Sequence, residues 1–227
     1  MFIKICGVTN EEDALLAVAL GADAVGFVFA PSSRKVAATR VAEIVRRLPP
    51  DVLTVGVFRN DLPERVISIV NSTGLMAAQL HGFESPSQVQ KVKSEVRTVF
   101  KAVVAGSEAF HDAASFGADA VLVDSVEPGS GEVFDWQMAE NAPQGVPMIL
   151  AGGLTPDNVV GAIGKVQPWG VDVSSGVERS PGIKDPILVR SFIEAVRSTE
   201  GDRGAESNEI HVFRDEPYNW EDDSTWR

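Results

Sequence analysis

Along roughly the first 200 residues, short runs rich in apolar and β-branched side chains alternate with longer stretches whose apolar positions recur every three or four residues. The short runs lie at 3–6, 24–28, 53–58, 77–80, 98–103, 120–123, 147–150 and 170–173. Between and after them, amphipathic helices are predicted near positions 15, 42, 67, 90, 112, 138, 160 and 191. Several of the short runs are apolar almost without interruption, as strands are when both faces of a sheet are covered. Strand and helix in strict alternation predict βα units and a parallel sheet. Eight such units in a chain of 227 residues predict a closed (β/α)8 TIM barrel of class α/β, at the small end of its size range. An open doubly wound sheet is the rival, but the first βα turn lacks the glycine fingerprint of a dinucleotide site.

An internal repeat points the same way. Gly21-Ala22-Asp23-Ala24-Val25 recurs as Gly117-Ala118-Asp119-Ala120-Val121, leading into the second and the sixth run, four units apart. That offset suggests two related half-barrels, each with a glycine ending a helix and small residues entering a strand. The barrel domain is expected to span 1–198, with 199–227 as an extension.

Composition narrows the partners. Apolar residues make up 44% of the chain, enough for a substantial core. The single cysteine excludes an internal disulfide and argues against a zinc cluster. No long apolar run or leader is present, so a soluble cytoplasmic protein with no membrane partner is expected. A formal charge of −12 argues against nucleic acid, which requires a basic face. An anionic ligand would therefore be held locally, by backbone N–H groups and single cations.

In a barrel of this kind the reacting groups sit at the carboxyl ends of the strands. Cys6 follows the first run, with Gly7 as a turn and Thr9 or Asn10 as the cap of the next helix. Ser33-Arg34 follows the second run, Arg59-Asn60-Asp61 the third and His81-Gly82 the fourth, while the fifth carries Lys101. Asp124 ends the sixth; Gly152-Gly153 follows the seventh, and Asp172, Ser175 and Gly176 belong to the eighth and its loop. The small-residue loops after the seventh and eighth runs suit a phosphate, because backbone N–H groups can approach an anion closely there. Cys6 and Asp124 would project into the same mouth. A thiol with its pKa lowered by a helix amino-terminus and a bound cation could act as a base. A carboxyl group raised toward neutrality could face it as a proton donor. Together they could move protons within one substrate.

Seven ordered motifs then carry a resemblance. They are Lys4-Ile5-Cys6-Gly7-Val8-Thr9, Gly26-Phe27-Val28-Phe29 with Ser33-Arg34-Lys35-Val36, Val55-Gly56-Val57-Phe58, Gln79-Leu80-His81-Gly82, Phe134-Asp135-Trp136, Leu150-Ala151-Gly152-Gly153-Leu154, and the stretch from Gly170 to Glu178. Over residues 2 to about 197 the chain resembles the phosphoribosylanthranilate isomerases of tryptophan biosynthesis. The resemblance implies an Amadori rearrangement of N-(5-phosphoribosyl)anthranilate on a (β/α)8 barrel, without metal or organic cofactor. It implies Cys6 as general base, Asp124 as general acid and Arg34 as partner of the anthranilate carboxylate. The phosphate would lie on Gly152, Gly153, Ser175 and Gly176, with Asp172 near the sugar and His81 in the site but not the principal proton carrier. The loop after the sixth run reads Pro128-Gly129-Ser130-Gly131, where the family pattern is Gly-Gly-Thr-Gly.

Two rivals remain. A histidine-pathway isomerase, or a dual-substrate relative, performs the same rearrangement but typically pairs two aspartates, and Cys6 favours the anthranilate substrate. A non-catalytic phosphosugar-binding barrel would bind without turnover. A monomer and a homodimer suit the barrel equally, and association with other enzymes of the tryptophan pathway stays open. From Glu200 onward nine acidic residues face three arginines, and Phe213, Tyr218, Trp220 and Trp226 interleave with them. That extension is expected to be disordered, or a docking segment.

Overall fold

In the computed structural model, which describes residues 1–124 and 145–200, eight parallel strands close into a barrel in sequential order. They are β1 (Phe2–Ile5), β2 (Ala24–Val28), β3 (Leu53–Phe58), β4 (Ala77–Leu80), β5 (Thr98–Val104), β6 (Ala120–Asp124), β7 (Met148–Leu150) and β8 (Gly170–Val173). β1 pairs with β2 on one side and β8 on the other, which seals the ring. The expected (β/α)8 fold is the observed one. The helices of the described residues are α1 (Glu11–Ala19), α2 (Ala38–Val45), α3 (Pro63–Thr73), α4 (Pro86–Lys93), α5 (Glu108–His111), α6 (Val159–Val166) and α7 (Pro186–Ser198). A short hairpin, β9 (Glu178–Ser180) with β10 (Ile183–Lys184), follows β8. The helix expected near 138, the 125–136 loop and the extension beyond 200 lie outside the described residues.

Local signals account for the helix starts. Asn10, not Thr9, caps α1 by accepting the Asp13 N–H at 2.8 Å. Thr9 instead donates its hydroxyl to Gly182 O at 2.6 Å, tying the hairpin to the first loop. Ser85 and Gln88 form a reciprocal capping box on α4.

The repeat has one structural task, done twice. Asp23 receives the Ile3 N–H on its carboxylate and donates its own N–H to Ile3 O, at 2.8 and 2.9 Å. Asp119 does the same for Val99, both bonds at 2.8 Å. Gly21 and Gly117 each take a left-handed φ, 97° and 63°, to turn the chain into that position. Each aspartate thus locks the strand it enters to the preceding one, β2 to β1 and β6 to β5. Asp119 also pairs with Lys93 at 2.9 Å. Asp119→Ala is therefore expected to destabilise the fold by about 1–3 kcal/mol, the usual consequence of orphaning a strand N–H and its charged acceptor; urea unfolding measures it.

The core has two layers. Outside the sheet, apolar side chains of strands and helices form the larger cluster. Inside the barrel, Phe2, Leu53, Val55, Phe100, Leu122 and Ile149 form the smaller one. Phe2 stacks on Trp169 with centroids 4.7 Å apart, filling the amino-terminal end of the ring.

Candidate active site

Strand alternation decides which side chains face the barrel interior, since only every second residue points inward. On β1 the inward set that contains Phe2 also contains Lys4 and, just beyond the strand, Cys6. On β4 the set is Ala77, Gln79 and His81; on β6 it is Ala120, Leu122 and Asp124; on β8 it is Gly170, Asp172 and Ser174. Each ladder begins apolar at the closed end and turns polar toward the mouth. There the ladders open into a cavity of about 720 Å³ lined by Cys6, Arg34, His81, Asp124 and Asp172, with Gly152, Gly153 and Ser175 on its rim. Cys6 and Asp124, 118 positions apart in the chain, share one cavity because β1 and β6 belong to one closed ring.

The Cys6 wall is dense with charge. Lys4, fully buried, donates to Asp172 Oδ1 at 2.7 Å. Glu178 takes the Arg34 fork on both oxygens, with Nε at 2.8 Å and Nη2 at 2.7 Å, and also receives Lys184 Nζ at 2.9 Å. Burial pushes the Glu178 carboxyl up, but Arg34 and Lys184 more than offset it and hold it below the usual carboxylate range. One consequence adds to the sequence reading and a second corrects it. One edge of the Arg34 guanidinium, expected to face a substrate carboxylate, is already bound to Glu178, so it is a preset fork rather than a mobile one. The thiol, expected to be acidified, stands above the ordinary cysteine value: burial raises it, and Lys4 only partly counteracts that. Helix α1 starts with Glu11, Glu12 and Asp13, so its amino-terminus adds little positive field to Cys6.

On the facing wall, His81 Nε2 lies 3.2 Å from Asp124 Oδ2, and Gln79 Nε2 lies 2.8 Å from His81 Nδ1. With the Gln79 amide donating to Nδ1, the neutral ring keeps its proton on Nε2 and donates it to Asp124. His81 is thereby a hydrogen-bond partner of the Asp124 carboxyl group.

Gly152 and Gly153 follow β7 with left-handed φ values of 83° and 64°, a turn that other residues resist. Asn158 braces it by donating to Gly153 O at 2.9 Å and accepting the Thr155 N–H at 2.8 Å. The N–H groups of Gly152, Gly153 and Ser175 have no hydrogen-bond partner among the described residues. Gly176 follows Ser175 in the loop after β8 but is not among the residues that line the cavity. A Cβ there would fall 1.8 Å from Leu154 O, so its small size lets the loop after β8 pack against the loop after β7.

Lys101 belongs to the scaffold. Alternation turns it away from the inward Phe100 and Ala102, and its Nζ donates to Leu80 O, Gly82 O and Ala102 O and to Glu84 Oε2, the last at 3.0 Å. Glu84 in turn accepts the N–H groups of Asn60 and Gly82 at 2.8 and 2.9 Å, pinning the loops after β3 and β4. Sequence reading missed Lys4, Glu178 and Lys184 as members of the site. Lys4 could have been found from parity, two residues before Cys6 on the same face; nothing local marks Lys184.

Comparison with known proteins places this geometry. The model of the N-(5'phosphoribosyl)anthranilate (PRA) isomerase family matches residues 3–195. The N-(5'-phosphoribosyl)anthranilate isomerase of Desulforudis audaxviator is 46% identical over 199 residues, covering 86% of this chain and 97% of that protein. The crystal structure of phosphoribosyl anthranilate isomerase from Thermus thermophilus superposes with a TM-score of 0.83 at 40% identity, covering 88% of this chain and 100% of that one. A phosphoribosyl anthranilate isomerase in complex with reduced 1-(o-carboxyphenylamino)-1-deoxyribulose 5-phosphate matches with a TM-score of 0.77 at 39% identity, covering 87% and 99%.

Proposed function

The chain belongs to the N-(5'-phosphoribosyl)anthranilate isomerase family, and from that membership we propose how its own residues carry the reaction. The protein is an isomerase of tryptophan biosynthesis: it converts N-(5-phosphoribosyl)anthranilate into 1-(2-carboxyphenylamino)-1-deoxyribulose 5-phosphate. The observation that supports the residue roles best is the sharing of one cavity by a thiol and a carboxyl group from β1 and β6.

Asp124 donates a proton to the furanose ring oxygen, and the bond from that oxygen to C1 breaks. The ring opens to a protonated imine, whose positive charge acidifies the hydrogen on C2. Cys6, as thiolate, removes that proton, and the resulting enolamine tautomerises to the ketone. No electrons leave the substrate, since C1 is reduced as C2 is oxidised. His81 holds the Asp124 carboxyl group in place through its Nε2–H to Oδ2, and Oδ1 carries the acid proton.

Binding is divided among the other walls. Three N–H groups without hydrogen-bond partners among the described residues, on Gly152, Gly153 and Ser175, suit the phosphate, and preorganised amides let a protein of net charge −12 take an anion locally. Gly176 supports that cradle from behind. Asp172, facing the cavity beside Lys4, is placed to accept from a sugar hydroxyl. Arg34, its orientation set by Glu178, offers its remaining N–H groups to the anthranilate carboxylate.

A fluorescence assay with freshly prepared phosphoribosylanthranilate, run beside the histidine-pathway aminoimidazole substrate, tests the assignment. Turnover of the first and at least tenfold lower kcat/KM on the second is expected. Equal turnover of both would make the protein a dual-substrate enzyme, and binding without turnover would reduce it to a phosphosugar-binding barrel.

A further inference from the structure

Lys4 has no part in the steps above, yet it is a fully buried cation on the inward face of β1, two residues from the thiol. Asp172 Oδ1 holds its Nζ at 2.7 Å. The ammonium also converges on the sulfur. A Cβ built on Gly26, the facing position of β2, would lie 2.9 Å from Cys6 Sγ and 3.2 Å from Lys4 Nζ, so both atoms occupy the space a side chain would have filled.

A lysine with no water around it keeps its charge only among anions. Burial alone pushes the Lys4 pKa down, but Asp172 and the Cys6 thiolate more than offset it and lift it above the usual lysine value. The other charges facing Cys6 come from β8, where Asp172 disfavours the thiolate, and from β10, where Lys184 favours it. Arg34, in the loop after β2, also senses the thiolate, with Glu178 of β9 shared between it and Lys184. Among these cations Lys4 counteracts the burial of the thiol most strongly.

We propose, on the premise that Cys6 is the base, that Lys4 is its positioning residue: the ammonium, clamped by Asp172, is the fixed counter-ion of the Cys6 thiolate. Gly26 then matters for space, because a side chain there would crowd both the sulfur and the ammonium.

Cys6 is the only cysteine of the chain, so the pH dependence of iodoacetamide alkylation in the full protein, without substrate, reads thiolate formation at that atom alone. Lys4→Met is expected to move the alkylation midpoint up by about one to three pH units, with the acidic limb of kcat/KM following it. At neutral pH the alkylation rate falls at least tenfold. Gly26→Ala keeps both charges but presses a methyl group against the sulfur and the ammonium, so that one of them must shift; it should move the midpoint the same way by a smaller amount. Circular dichroism checks that each variant is folded, and if Lys4→Met does not fold, Gly26→Ala decides. An unchanged or lowered midpoint in the folded variants would overturn the role of Lys4. A raised midpoint together with full activity in Cys6→Ser would instead remove the base reading, and the role of Lys4 in turnover with it.

Discussion

Replacing Cys6 with serine is expected to lower kcat/KM by roughly 10²–10⁴-fold, the range that a positioned proton acceptor contributes. The hydroxyl keeps the volume and the seat on β1 but does not ionise near neutral pH, so the protein should fold and bind while losing the proton-abstraction step. Asp124→Asn is expected to cost a comparable factor, because an amide cannot protonate the ring oxygen. The two losses should not add. Once the ring fails to open, the hydrogen on C2 is no longer acidified, and removing the base as well changes little further. Wild-type kcat/KM should rise with pH through the thiol titration, since burial holds the thiol above its ordinary value and only the thiolate takes the proton. Steady-state rates across the pH range measure all of this. Near-normal turnover in both single variants would refute the assignment.

Glu178→Ala carries the largest expected loss of stability. One buried carboxylate serves Arg34 and Lys184 together, and removing it leaves the fully buried Lys184 ammonium, among the described residues, with Ser174 O at 3.0 Å as its one hydrogen-bond partner. Deleting one partner of a buried ion pair costs about 3–5 kcal/mol, mostly the penalty of the stranded charge. Glu178→Leu with Lys184→Met should recover much of that, because both buried charges leave together. Denaturant unfolding of the three proteins separates a charge effect from simple loss of packing. The pH dependence has a definite sign. Glu178 titrates below the usual carboxylate range in the folded protein, so its stabilisation is fully present above the unfolded carboxylate pKa of about 4.3. It is lost as pH falls through the folded value, and the alanine variant should lack that acid-dependent component.

The ends of elements show where local chemistry governed and where it did not. β2, β3, β4 and β8 begin and end where the apolar runs do. β7 starts at Met148 rather than Pro147, in keeping with a proline that has no N–H for the ladder, although its carbonyl accepts from Val121 at 2.9 Å. The helix expected near 112 is divided into the four-residue α5 and a 3-10 turn over Ala113–Phe116. Phe110 and Phe116 are buried on either side of that break, and packing sets the division where periodicity suggested one helix.

Alternating polarity along the chain was enough to count the βα units, close the barrel and bring Cys6, His81, Asp124 and Asp172 to its mouth. Those features depend on short apolar runs and a 3.6-residue period between them, which neighbouring positions carry by themselves. The state of the groups was another matter. That Arg34 meets Glu178, 144 positions away, that Lys4 lies under the thiol and that the thiol is raised rather than lowered all depend on distance and on water excluded by distant segments. Charge energies follow separation and burial in three dimensions, and no pattern of neighbours along a chain encodes either one.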